Sequence, residues 1–334
     1  MLKFDYAEYA ASEKATLESR QAAEAAAKNI CERGCANLFL AGVGGSLSPM
    51  MALGEMAKQL TDLPVYVEQA AELLARGHRH LGPGSVVVTM SKSGDTKETV
   101  AIAKACRQQK IPVVALTGDR ESPLGAEAEY HIPMRHTNGV EYEYMLLYWL
   151  FFGLLHARGE FPQYPDFAQR LTLLPRKLLT AKEAFEEQAD AIAEAYYQEP
   201  YMLWVGGGEM WGETYLFSMC ILEEMQWKRT KAVTSAELFH GTLELVEKDT
   251  CVFLIKGAGA CRQLDERAQR FLEQHTNKLT VIDPAPYMEE QEPFGWLLAP
   301  LYVSTLLVDR LAVHMEKYTG HDLDFRRYYR QFEY

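Results

Sequence analysis

Short apolar runs recur along the chain between stretches with helical periodicity, and each ends in a loop rich in Gly, Ser and Thr. Leu38-Phe39-Leu40-Ala41-Gly42-Val43 and Val86-Val87-Val88-Thr89-Met90 read as strands buried on both faces. The first runs into Gly44-Gly45-Ser46-Leu47-Ser48 and a helix from about Pro49 to Leu60, the second into a loop and an amphipathic helix from Thr96 onward. Alternating strands and helices predict an α/β fold, with parallel sheets covered by helices on both faces. Three landmarks recur in order: Leu38–Ser46 with Met202–Glu209, Pro64–Leu73 with Ala232–Leu238, and Val86–Gly94 with Val252–Gly257. Such matched spacing points to duplication of one αβ unit. Tyr144–Leu155 is too short to span a bilayer and reads as a helix buried on all sides. A charged helical stretch from about Phe167 to Glu199 would join the two halves.

The loop Ser91-Lys92-Ser93-Gly94-Asp95-Thr96-Lys97-Glu98-Thr99 places four hydroxyls and a glycine where a strand meets a helix. Backbone N–H groups and the positive helix end would converge there, which suits a phosphate. The same residue types also serve as ordinary helix caps and turn formers. If the strands carrying the two hydroxyl loops are neighbours, both loops can converge on one ligand. No Walker-type Gly-Lys-Ser/Thr and no G-x-G-x-x-G is present, which favours a small phosphorylated metabolite over a nucleotide. The second copy has Gly206-Gly207-Gly208-Glu209 and Lys256-Gly257-Ala258-Gly259 in place of the hydroxyls, so no second phosphate is expected there.

That half offers Leu222-Glu223-Glu224-Met225-Gln226-Trp227 and Ser235-Ala236-Glu237-Leu238-Phe239-His240-Gly241 instead. A carboxylate on a largely apolar helix can have its pKa raised toward neutrality, as a base moving a proton between adjacent sugar carbons needs. On sequence alone Glu224 and His240 read first as a surface helix residue and a satisfied loop residue. Glu237 would cap the next helix or orient His240, Glu223 would be solvated, and Met219, Met225 and Trp227 would be core.

With 334 residues, 48% of them hydrophobic, the chain is long enough for about two domains. A net charge of −12 argues against nucleic acid or an anionic membrane as partner. The six cysteines form no C-x-x-C pair and none has zinc-site spacing to His, so no metal site is expected. The opening Met1-Leu2-Lys3-Phe4-Asp5 leads into an alanine- and glutamate-rich helix rather than an apolar leader, so a cytoplasmic protein is expected.

The pattern S-x-S-G-x-T-x-E-T, preceded by a strand ending in G-G-S, resembles the sugar isomerase (SIS) family of phosphosugar-binding domains. The resemblance extends over nearly the whole chain, as a tandem pair similar to the isomerase half of glucosamine-6-phosphate synthase. It implies two three-layer αβα SIS domains, at 35–160 and 199–320, with an N-terminal helix at 1–34, a helical connector at 161–198 and a tail at 321–334. It further implies that Gly45, Ser46, Ser91, Lys92, Ser93 and Thr96 hold a sugar phosphate. In the related isomerase domain a base glutamate lies sixteen positions before a histidine in an E-L-x-H-G segment, the spacing of Glu224 and His240. There the histidine opens the sugar ring and works in the neighbouring subunit's site, so a homodimer with shared sites is implied.

Glu-Met-Gln-Trp at 224–227, Glu141–Met145, Ser235–Glu237 and the Arg-Arg-Tyr-Tyr tail at 326–329 bring the chain closer to bacterial deglycases that split phosphorylated sugar–amino acid adducts. Glucoselysine 6-phosphate is the adduct implied, with fructoselysine 6-phosphate as the alternative and no cofactor required. The synthase's tail lysine is missing, and no glutaminase-type domain accompanies the chain. For the carboxylate and amine of the substrate's lysine, the candidates are Arg135 or Arg327 and Glu141. An isomerase or amino-sugar deaminase using the same proton machinery is the competing reading. A sugar-phosphate sensor is the other, although residues 1–36 are too short for a helix-turn-helix domain.

Overall fold

The computed structural model describes residues 1–332 apart from Asn138, and the chain divides into two compact units, Asp5–Pro175 and Arg176 onward together with Met1–Phe4. In the first unit a five-stranded sheet comprises β1 (Asn37–Gly42), β2 (Val65–Gln69), β3 (Ser85–Met90), β4 (Val113–Thr117) and β5 (Tyr130–Pro133), in the order β2-β1-β3-β4-β5. Every pair is parallel, and β1 and β3 align with Leu38 opposite Val86 and Leu40 opposite Val88. The period-2 alternation of a strand sorts its residues between two cores. Phe39, Ala41, Val87, Val113 and Ala115 pack on one face with Leu73, Ile102, Ala103, Cys106 and Leu124 from three helices. Leu38, Leu40, Val86, Val88, Val114 and Leu116 point to the other face and are also buried. Strands buried on both faces carry the continuous apolar runs seen in the sequence.

The apolar stretch around 144–155 lies within the helix Val140–Ala157, and Tyr142 to Leu155 is buried except for Glu143, which is partly buried. Its long neighbour is the helix Tyr6–Arg33, whose Tyr9 ring lies 5.7 Å from that of Tyr142. A single helix, Tyr164–Tyr196, spans the segment expected as a charged connector, and the division between the units falls inside it at Pro175.

The second unit carries β6 (Met202–Val205), β7 (Thr230–Val233), β8 (Cys251–Ile255) and β9 (Lys278–Ile282) in the parallel order β7-β6-β8-β9. The order β7-β6-β8 repeats β2-β1-β3. Where the first unit follows β2 with the helix Ala70–Arg76, the second follows β7 with two short 3-10 turns, Glu237–His240 and Thr242–Leu245. Residues 1–4 leave the N-terminal helix and join this unit. The Leu2 N–H donates to Glu186 at 2.6 Å, and Arg310 bonds both the Leu2 carbonyl (2.8 Å) and Glu186 (2.6 Å).

One helical run, Gly295–Thr319, is apolar and long enough to cross a membrane by composition, yet 78% of its most apolar stretch is buried inside the protein. It is a core helix by that measure. In the second sheet Trp204 of β6 is fully buried and stacks on Phe253 of β8 with ring centroids 4.3 Å apart and planes 5° from parallel. Truncating Trp204 to Ala is expected to cost about 3–5 kcal/mol of stability, measured as a drop in the denaturant midpoint; a loss below about 1 kcal/mol would show that this stack does not support the sheet.

Candidate active site

In an open parallel sheet, the crevice opens at the carboxyl ends of two neighbouring strands whose connections run in opposite directions. In the first unit that point lies between β1 and β3, because β1 connects toward β2 and β3 toward β4. The two loops flanking it are the hydroxyl loops. After β1, Gly44–Leu47 forms a 3-10 turn and the helix Ser48–Leu60 follows. Gly45 and Ser46 are half-buried in that turn, and Ser46 makes no hydrogen bond among the described residues.

After β3, Ser91 is 3% exposed and its hydroxyl lies 2.8 Å from that of Thr96 and 3.5 Å from that of Ser93. The Gly94 N–H donates to Ser91 Oγ at 3.2 Å, and Ser93 donates to Asp95. The helix Lys97–Gln108 begins without a side-chain cap at Thr96. Capping therefore does not account for these hydroxyls; they cluster inside the loop, next to the helix N-terminus. Gly94 has φ +71°, and a Cβ there would lie 2.3 Å from Ser122 Oγ and 2.6 Å from Thr117 Oγ1. Only glycine gives the loop this close approach at a left-handed residue.

Lys92 points the other way. Its ammonium donates to the Thr137 carbonyl, and burial of that end lowers its pKa against the opposing pull of Glu143 and Glu8. Lys92 as a residue is otherwise exposed.

In the second unit, the helix that follows β6 widens to π geometry over Leu216–Glu223 and returns to α geometry at Glu224–Gln226. Such π segments are rare and concentrate at functional sites. Glu224 is half-buried, and its Oε1 accepts from Arg326 Nε at 2.9 Å. The carboxylate expected on an apolar helix is thus held by a guanidinium from the tail. Arg326 is anchored in turn by the Leu323 carbonyl.

The helix ends at Trp227, a non-glycine residue with φ +53°. A left-handed bulky residue is strained by roughly 1–2 kcal/mol and marks a site the surroundings hold in place. Here those surroundings are aromatic and cationic: His321 at 4.3 Å, Phe325 at 5.4 Å, and the Arg327 guanidinium 4.0 Å above the indole. Glu223, Glu224, Trp227, Lys228, Arg326, Arg327, Tyr328 and Tyr329 line a cleft of about 380 Å³. Met219, expected in the core, is 38% exposed. Trp227 is half-buried at the cleft rather than enclosed.

His240 ends the 3-10 turn after β7, is exposed, and makes no hydrogen bond among the described residues. Glu237 is exposed too, and no hydrogen bond joins it to His240; its backbone N–H is taken by Thr234 Oγ1 at 3.1 Å, so the expected orienting contact is absent. Arg135 is exposed without an ion pair among the described residues. Glu141 is fully buried, its carboxylate folded against Gly139, where a Cβ would come within 2.8 Å of it. Its carboxylate is thus not presented at the surface, whereas Glu223 lines the cleft.

With this geometry in hand, comparison with known proteins is direct. A family model described as SIS domain matches residues 33–151, which include all the hydroxyls of the first unit's cradle. The fructosamine deglycase FrlB of Bacillus subtilis (strain 168) is 30% identical over 270 residues, spanning 79% of this chain and 82% of that one. The chain belongs to the SIS domain family. The fructoselysine 6-phosphate deglycase of Escherichia coli (strain K12) is 24% identical over 302 residues, 90% of this chain and 88% of its own length. Among solved structures, one from Bacillus subtilis described as a candidate phosphosugar isomerase matches with a TM-score of 0.87 at 26% identity, covering 95% of this chain and 99% of that one. The C-terminal domain of glucosamine-fructose-6-phosphate aminotransferase from Francisella tularensis shares the fold, with a TM-score of 0.81 at 16% identity over 95% of this chain and 96% of that one. Two parallel sheets flanked by helices are the architecture of these SIS structures.

The loop geometry around Gly94 makes a specific demand. Gly94→Ala is expected to cost at least about 1 kcal/mol of stability and to weaken binding of a hexose 6-phosphate by about tenfold or more, read by denaturant melts and titration calorimetry. Unchanged affinity in the folded variant would remove the Ser91–Thr96 loop from the binding site.

Proposed function

We propose that the protein is a deglycase that splits a 6-phosphorylated sugar–amino acid adduct into a hexose 6-phosphate and free amino acid, with glucoselysine 6-phosphate as its preferred substrate. The observation that carries the reading is the uncapped hydroxyl cluster of Ser91, Ser93 and Thr96 at the switch point of the first sheet, in a chain 30% identical to a deglycase. Fructoselysine 6-phosphate is the second reading, favoured by the name of the Escherichia coli relative. The preference for glucoselysine 6-phosphate rests on the segments at 141–145, 224–227 and 326–329.

In this reading Ser46, Ser91, Ser93 and Thr96 hold the 6-phosphate with Gly45 and the Gly94 loop giving close backbone approach, as helix N-termini favour dianions. His240, exposed and unbonded in its own chain, protonates the ring oxygen as the ring opens; it acts in a neighbouring subunit of a homodimer. Glu224 takes the proton from one of C1 and C2 and returns it to the other. The adjacent carbonyl acidifies that C–H bond, so the shift needs no organic cofactor. The electron pair moves with it, converting the amine-bearing carbon to an imine. Water adds to the imine, the C–N bond breaks, and the amino acid leaves with the proton that its nitrogen gains. Arg326 keeps the Glu224 carboxylate oriented through this cycle. Arg327, whose guanidinium lies over Trp227, presents a planar donor pair to the amino acid's carboxylate, with Arg135 as the other candidate and Glu223 or Glu237 for its ammonium.

Amino acid release from glucoselysine 6-phosphate and fructoselysine 6-phosphate, assayed side by side, tests the proposal. Release from the first, reduced by about 10²–10⁴ in Glu224→Gln, is the expected result. Release from the second alone would move the preference, and release from neither alongside tight hexose 6-phosphate binding would favour an isomerase or a sensor. Shared sites have their own check: mixing inactive Glu224→Gln and His240→Ala subunits is expected to restore part of the activity, and a mixture as dead as its components would count against them.

A further inference from the structure

The second sheet has its own switch point, between β6 and β8, and the loops that flank it hold something the first unit's loops do not. Alignment of the two units on their paired strands sets Gly42 with Gly206, Gly44 with Gly208, and the pair Thr89–Met90 with Leu254–Ile255. Gly44 and Gly208 both adopt left-handed φ, +51° and +57°, and both open a 3-10 turn leading into a helix. Glu209 is thereby the counterpart of Gly45, and Gly257-Ala258-Gly259 of Lys92-Ser93-Gly94.

Glu209 is 3% exposed, and one of its carboxylate oxygens accepts from the Ala258 N–H at 3.0 Å and the Gly259 N–H at 2.7 Å. The two glycines are shaped around it. A Cβ on Gly257 would come within 2.6 Å of that oxygen and one on Gly259 within 2.9 Å. A third loop donor, the Gly257 N–H, goes to the fully buried Asp265 at 2.9 Å, which Ser235 also bonds. Burial is the main cause that pushes the Asp265 carboxyl up to about 6, and the Glu209 charge adds to it. Arg262 closes the other side of the loop, bonding the Gly257 carbonyl at 2.8 Å and Asp283 at 2.6 Å. Successive backbone N–H groups around a concavity form an anion nest, and here the anion is the chain's own carboxylate.

We propose that the second unit retains an oxyanion site of the phosphate type, and that Glu209 occupies it as an internal substitute for phosphate. The choice of residue at one position then decides which unit accepts a ligand: glycine at 45 brings no internal carboxylate to the first loop, where the Gly94 N–H rests on Ser91, and glutamate at 209 fills the second. The proposal rests on the first unit's cradle being a phosphate site, so the experiment is arranged to separate the two. It also explains why the second loop can lack hydroxyls yet keep two glycines around a point that only an oxygen reaches.

The test counts equivalents of inorganic phosphate bound by the full chain in titration calorimetry, comparing wild type, Glu209→Gly and Gly45→Glu. Gly45 is not among the left-handed glycines, so its backbone tolerates a side chain. One equivalent per chain in wild type, two in Glu209→Gly and none in Gly45→Glu is the expected pattern. No binding by wild type with one equivalent in Glu209→Gly would leave the internal substitute standing and overturn the first cradle. One equivalent in both wild type and a folded Glu209→Gly would overturn the present proposal. Should Glu209→Gly lose its fold, its melting temperature in phosphate against chloride at matched ionic strength decides: phosphate restores stability to the variant and not to Glu209→Gln if the nest takes the anion, and equal effects on both variants overturn it.

Discussion

Everything chemical in the first unit depends on the parallel pairing of β1 with β3. Leu38 opposite Val86 and Leu40 opposite Val88 place the carboxyl ends of the two strands side by side, while their connections leave in opposite directions. That divergence opens the crevice, and no side chain has to be displaced to make it. A one-residue slip in this register would exchange the two buried faces and would also separate Ser46 from Ser91. Because both faces are buried, the register is strongly specified, and the positions of the hydroxyls follow from the core.

The same device is built twice and finished differently. In the first unit glycine and short hydroxyl side chains leave donors turned into the loop. In the second, the equivalent loop is filled by Glu209, and what the unit contributes comes from its helix and tail. The π turn before Glu224 and the left-handed Trp227 are two departures from regular geometry within a dozen residues of chain, and the Arg326–Glu224 pair joins the tail to them. Their clustering is the expected behaviour of a site where local regularity has been given up for placement.

Much of this was legible in the sequence. The strands announced themselves as short apolar runs, the helix Val140–Ala157 as an apolar stretch too short for a bilayer, and the cradle as hydroxyls and glycine at a strand-to-helix join. The duplication could be read because strand–loop order survives when side chains change. The rest was hidden for identifiable reasons. A π turn inserts one residue per turn, and inside the run from Leu216 to Leu222, apolar but for Ser218, hydrophobic periodicity cannot register it. The Arg326–Glu224 pair joins residues 102 apart in the chain. Glu141 was a candidate substrate contact through the resemblance of its segment to the deglycases, but the adjoining Gly139 leaves the space into which its carboxylate folds. Residues 1–4 joined the second unit through Glu186 and Arg310, partners that no local pattern indicates.

On the proposed reading the phosphate of the substrate is held by hydroxyls and backbone of the first unit, not by the arginines of the tail cleft. A crystal structure of the protein with a hexose 6-phosphate bound tests it most directly. Phosphate oxygens within hydrogen-bonding distance of Ser46, Ser91, Ser93 and Thr96 are the expected result; phosphate seated instead among Lys228, Arg326 and Arg327 would overturn that reading.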